Sequence, residues 1–170
     1  MIEQKIHTAN NPGFTLIEVI VSMTLISIFG AIAGMGLAEI AKGYVFAKQN
    51  AETVQKAQIA MTRIVKELAA ATSINSTTST SVSYTRPTSA TDLTPVTNSI
   101  ALSGSTVQIT GTVPAFPASV LIDNVTAFTL TPDNATLASI RRIDITLSVT
   151  GADNAASSFT NSVSVQESYW

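Results

Sequence analysis

From Phe14 to Ala38 the chain reads FTLIEVIVSMTLISIFGAIAGMGLA, and Glu18 is the only charge within it. Roughly 20 apolar residues cross a bilayer as a helix, so this run is long enough to span one. A carboxylate inside such a span costs a few kcal/mol, and something must compensate for it. Whatever the rest of the chain folds into, it is attached to this segment. Glu18 therefore stands out as a functional residue before any other.

The remaining composition narrows the function classes. With 170 residues and 45% hydrophobic content there is room for one domain and an anchor. Charged residues are 12% of the chain and the net charge is −2, too weak a field to hold DNA or RNA, so no nucleic-acid partner is expected. The absence of cysteine excludes disulfides, thiolate metal sites and cysteine nucleophiles. The one histidine, His7, precedes the apolar run; a chain cut at Gly13 would have none, which removes Ser-His-Asp catalysis and histidine zinc sites. Asp92, Asp123, Asp133 and Asp153 are scattered acids without the spacing of a calcium loop. No catalytic residue, metal or cofactor is expected.

Four segments follow from the pattern: a polar leader at 1–13, a membrane-spanning or assembly half of a helix at 14–38, an amphipathic half at 39–72, and a β-rich globular domain at 73–170. The leader, MIEQKIHTANNPG, is unlike a secretory signal peptide, whose cleavage site follows the apolar core. Here the plausible break precedes the core, and the apolar segment stays with the product. Pro12 disfavours helix at Asn11 and allows a clean start after the leader. Beyond the span, Ile40, Tyr44, Ala47, Ala51, Val54, Ala57 or Gln58, Met61, Ile64 or Val65 and Leu68 recur at steps of three and four. Lys42, Lys48, Glu52, Lys56, Arg63, Lys66 and Glu67 occupy the faces between. One helix of about 55–60 residues is expected, roughly 85 Å long, with its second half lying on the C-terminal domain.

The helix fades into the Ser/Thr tract from Ser73 to Thr80, which reads as turns without periodicity. Pro87, Pro95, Pro114, Pro117 and Pro132 then punctuate short β-prone runs: Val82–Thr85, Ile100–Leu102, Thr106–Thr110, Val120–Ile122, Val125–Thr131, Ile140–Val149 and Phe159–Val165. The alternation from Ile143 to Val149 suits a strand with one face on a core. A long helix followed by strands is an α+β arrangement, with an antiparallel sheet laid against the helix.

The leader, Gly13, the FTLIE start and the uninterrupted apolar helix together resemble a type IV pilin or type II secretion pseudopilin precursor. The resemblance covers residues 12–38. It implies that a membrane-embedded prepilin peptidase cuts between Gly13 and Phe14 and methylates the new amino group of Phe14. It also implies that Glu18 pairs with the Phe14 amino group of a neighbouring subunit during assembly. The physics agrees, because a buried carboxylate in an apolar bundle needs a nearby cation, and the pair would fix the register of one helix against the next. The alternative is that Glu18, lying in the first two turns, snorkels to the membrane surface.

Further along, Met61–Leu68, Leu121–Phe128 and Ile140–Leu147 resemble the helix end and two late strands of minor subunits of the J or W type. The chain departs from the family in its leader, where Lys5 is the only basic residue. It also lacks the span proline and C-terminal cysteine pair of many major pilins, which points to a minor subunit or pseudopilin. The implied partners are the peptidase, other pilin or pseudopilin subunits in a homo- or hetero-oligomeric filament, an inner-membrane assembly platform, and lipid before assembly. The implied location is the inner membrane, single-pass, with the C-terminal domain in the periplasm or outside, and then a periplasmic or cell-surface filament. An external ATPase would drive assembly, since the chain has no P-loop.

Gly30 and Gly34 form a GxxxG pair that permits close helix approach, or with Gly36 marks a soft spot in the helix. Asn75, Asn124 and Asn134 open glycosylation-type triplets that read as turn and strand residues. Arg141 and Arg142, adjacent in a strand, face opposite sides and suit edge protection or a salt bridge. Tyr169 and Trp170 read either as a packed strand end or as a contact for a neighbouring subunit. Two other functions compete with the filament subunit: a single-pass anchored binding module that is never cut after Gly13, and an anchored enzyme, disfavoured by the missing histidine and cysteine.

Overall fold

The computed structural model describes residues 13–89, 91–113 and 115–165. The expectations for the leader before Gly13, for Pro114 and for Tyr169 and Trp170 lie outside the described residues. Two compact units divide the chain, one up to Val45 and one from Phe46 onward.

A single helix, α1, runs from Leu16 to Ala69. Eight strands follow: β1 (Ser73–Thr77), β2 (Ser81–Pro87), β3 (Pro95–Ser103), β4 (Thr106–Val113), β5 (Ala115–Ile122), β6 (Val125–Pro132), β7 (Arg142–Thr150) and β8 (Ala156–Ser164). The fold is α+β, a long helix followed by antiparallel sheet. The single expected sheet is in fact two: a five-stranded meander in the order β1 to β5, and a three-stranded one in the order β6, β7, β8. Backbone bonds from Leu130 N–H to the Ser79 carbonyl (2.8 Å) and from Val125 N–H to the Ser105 carbonyl (2.9 Å) link β6 to turns of the first sheet.

In the second unit the helix buries one stripe: Ala57, Ala60, Met61, Ile64 and Leu68. The three- and four-residue steps hold here, and Ala57 rather than Gln58 takes the inward place. Val82, Tyr84 and Ile100 from the first sheet, and Phe128, Ile143, Ile145, Leu147 and Val149 from the second, close on that stripe to form one core. Each fully buried aliphatic side chain contributes about 1.5–3 kcal/mol. β7, the middle strand of its sheet, alternates strictly, as its sequence indicates.

Two local expectations are corrected. Ser73–Thr77 is a strand rather than a turn, paired to β2 with only Ile74 facing the core. α1 stops because Thr72 donates both its N–H (2.8 Å) and its hydroxyl (3.1 Å) to the Thr85 carbonyl, so sheet pairing captures the chain one turn past Leu68. The strand expected from Ile140 begins at Arg142, after a short 3-10 turn at Leu137–Ser139.

The prolines sit where ladders tolerate a missing donor. Pro87 and Pro95 face each other at the ends of β2 and β3, and Pro117 lies on β5, an edge strand.

Glu67, expected on a solvent face, turns inward with its side chain only 13% exposed. Its Oε2 accepts from Arg86 Nε at 3.0 Å and from the Tyr84 hydroxyl at 3.1 Å, while Arg63 Nε approaches Oε1 at 3.6 Å. Asn98, directly opposite Tyr84 on β3, accepts from Arg86 Nε at 3.3 Å with its amide oxygen and donates to the Thr97 carbonyl at 3.1 Å. Burial, then the charge and hydrogen bond of Glu67, push the Tyr84 hydroxyl well above the usual tyrosine range. The pocketed carboxylate ties the last turns of α1 to β2 of the five-stranded sheet.

Candidate processing and assembly segment

Gly13, Phe14 and Thr15 precede the helix, and Phe14 is 81% exposed. Thr15 starts α1: its carbonyl accepts from the N–H groups of Glu18 (3.1 Å) and Val19 (3.2 Å), and its hydroxyl accepts from Glu18 N–H at 3.4 Å. Thr15-Leu16-Ile17-Glu18 thus has the T-x-x-E form of a capping box, with the acid at the positive end of the helix dipole. A capping oxygen of this kind contributes about 1 kcal/mol. That local role for Thr15 and Glu18 was readable from the spacing and adds to any role of Glu18 between subunits. Among the described residues, Glu18 makes no ion pair.

From Leu16 to Val45 every side chain of the first unit is exposed on the isolated chain, and the helix is long and apolar enough to cross a membrane. The span's hydroxyls are satisfied within the helix. Ser22 donates to the Glu18 carbonyl (2.7 Å), Thr24 to those of Val21 (2.8 Å) and Ile20 (3.1 Å), and Ser27 to that of Met23 (2.8 Å). Hydroxyls closed onto the preceding turn carry little penalty in hydrocarbon. Glu18 is then the one side chain in the run whose polarity the helix does not itself absorb. Gly30 and Gly34 lie one turn apart on a common face, and open space surrounds the position of a side chain at each.

The other singled-out residues take structural places. Arg142 Nε pairs with Asp144 at 3.3 Å on the exposed face of β7, so the salt bridge holds; edge protection does not, because β7 is central. Arg141 lies before the strand and its N–H donates to Asp133 Oδ1 at 3.0 Å. Asn75 is in β1, Asn124 occupies a turn with φ of 55°, and Asn134 accepts from Thr136 N–H in the loop after β6. Among the described residues no group of acids or histidines is arranged to hold a metal ion.

A family model described as the prokaryotic N-terminal methylation motif matches residues 8–34. No curated protein and no solved structure matched the chain. The motif implies processing by a peptidase and assembly with other subunits, and points to a structural protein rather than an enzyme; with the apolar helix it fits a single-pass membrane anchor. This N-terminal segment, set on a long helix followed by antiparallel sheet, supports a likeness to the prepilin-type precursors of type IV pilins and pseudopilins.

Proposed function

We propose that this chain is a minor pilin or pseudopilin, similar to subunits of the J or W type, in a type IV pilus, type II secretion or DNA-uptake filament. It is cleaved between Gly13 and Phe14, methylated on the Phe14 amino group, and held at the inner membrane by residues 14–38 until assembly. Residues 39–72 then carry the β-rich domain of residues 73–170 on the outer side. The observation that supports this reading is the methylation motif at the mouth of a fully exposed apolar helix with one acid. In the filament, Glu18 of one subunit meets the Phe14 ammonium of the next, and Gly30 and Gly34 allow close helix approach.

A second reading is an anchored binding module that stays uncut. It has its own support in a polar groove of about 560 Å³, lined by Glu52, Lys56, Asn124 and Thr150 among others. The intact mass and N-terminal fragment spectrum of the native membrane protein separate the two. A chain beginning at N-methylated Phe14 is expected; one retaining residues 1–13 in a host with active peptidase would overturn the filament reading. Glu18→Gln gives a second test. It removes the charge and so lowers the insertion cost; the variant should insert at least as well and yet fail to enter filaments. A plain anchor would keep its function.

A further inference from the structure

We propose that β8 is a docking edge for a second copy of this chain, the two β8 strands pairing antiparallel about a two-fold axis at Thr160. Each sheet has two outer strands, and three of the four resulting edges are closed. β1 is short, bulged and packed against the 3-10 turn at Leu137–Ser139. β5 carries Pro117 and loses register with β4 twice. β6 directs two of its outward N–H groups, those of Val125 and Leu130, to turns of the first sheet. β8 has none of these devices. It runs for nine residues in unbroken register with β7, without a proline or a charge. An edge of that kind is a template for another strand.

The direction of its main chain follows from the two ends of the strand. Val165 N–H donates to the Arg141 carbonyl at 2.9 Å, and Gly151 N–H donates to the Ala155 carbonyl at 2.8 Å. Odd-numbered residues of β8 thus bond to β7, and Ala156, Ser158, Thr160, Ser162 and Ser164 turn their main-chain groups to the free edge. Ser162 N–H agrees, since it donates to the Asn161 side chain at 2.8 Å in place of a neighbouring strand. All five outward residues are exposed.

This edge is complementary to itself. With Thr160 opposite its own copy, Ser158 faces Ser162 of the second copy and Ala156 faces Ser164, so outward groups meet outward groups along the whole strand. No charge opposes a like charge, and Thr–Thr and Ser–Ser neighbours suit cross-strand pairing. Phe159, half-buried against the core, comes to lie diagonally across from its copy at about 7–8 Å, within reach of an aromatic ring. A two-fold pair closes on itself, unlike the repeating contact of a filament, so the inference stands apart from that reading.

The chain has no cysteine, so a single introduced thiol reports on one position. In full-length protein in detergent, Thr160→Cys should form a disulfide-linked dimer rapidly on oxidation with copper phenanthroline. Thr146→Cys, opposite Thr160 on β7, should not, because three strand gaps of about 4.8 Å each then separate the two thiols. In sedimentation the unaltered chain should form a concentration-dependent dimer. Thr160→Lys should weaken it about fivefold by setting like charges opposite each other, as should Thr160→Glu. Mixing these two variants should restore the dimer, which also shows that both are folded. A monomer at every concentration, equal cross-linking of the two cysteine variants, a mixture that stays monomeric, or a dimer indifferent to Thr160→Lys would each overturn the proposal; the last would assign association to the apolar helix.

Discussion

Removing the Glu67 carboxylate should be among the most damaging single changes outside the hydrophobic core. In Glu67→Ala, Arg86 loses its 3.0 Å partner and the buried Tyr84 hydroxyl loses its acceptor. Breaking a fully buried pair costs about 3–5 kcal/mol. The Arg86 side chain is 28% exposed and can partly rehydrate, which lowers its share. The orphaned hydroxyl adds about 1–3 kcal/mol. The total is about 3 kcal/mol, or roughly 10–15 °C in Tm for a unit of this size. Thermal unfolding of the full chain in detergent, followed through its β-sheet ellipticity, measures it. Glu67→Gln keeps an acceptor and should lose only about 1 kcal/mol. Arg63→Ala should change stability by under about 0.5 kcal/mol, since the Arg63 side chain is 60% exposed and its nitrogen is 3.6 Å from the carboxylate. Tyr84→Phe added to Glu67→Ala should recover stability, because it removes the hydroxyl left without its acceptor. A loss below about 1 kcal/mol for Glu67→Ala, or purely additive effects of the two changes, would refute the account.

Other changes follow from the same contacts. The Tyr84 hydroxyl titrates above its ordinary value of about 10 when folded, so its contribution is whole below that pH and is lost as pH rises. Stability should fall above about pH 10 by up to about 1.4 kcal/mol per pH unit, and urea midpoints of Tyr84→Phe should show a flatter alkaline limb. Gly151→Ala would drive its new methyl into the Asn50 amide, whose oxygen accepts from Ala152 N–H at 2.9 Å. The loss of that bond should cost about 1 kcal/mol, and the same substitution in an Asn50→Ala background should cost little. Leu68→Ala, at a fully buried position, should lose about 2–5 kcal/mol in the same unfolding assay.

The sequence carried the helix and its inward stripe because those signals are local and periodic: Met61, Ile64 and Leu68 are spaced for one face wherever the partner lies. The N-terminal methylation motif was legible for the same reason, as a contiguous run of residues. β1 was not, since Ser73–Thr77 has a single apolar residue and becomes a strand only because β2 offers it an edge. Glu67 was misplaced because an acid between helix stripes ordinarily faces water. Its burial depends on Arg86 and Tyr84, about twenty residues on, and strand pairing sets their meeting. The split into two sheets was equally hidden, since a chain of hairpins looks alike whether or not one junction is left unpaired.

In both sheets every strand pairs with its neighbour in sequence. Each hairpin closes a short loop, and the entropy of closure is met in small steps rather than in one long-range search. Strands can therefore add in the order in which the chain is made, from β1 to β5 and then from β6 to β8. The helix stripe is synthesised before any of them, so its partners arrive one after another. The docking of the finished meanders onto Met61, Ile64 and Leu68, with the bonds from Leu130 to Ser79 and from Ala152 to Asn50, joins distant parts of the sequence, and that step should set the folding rate.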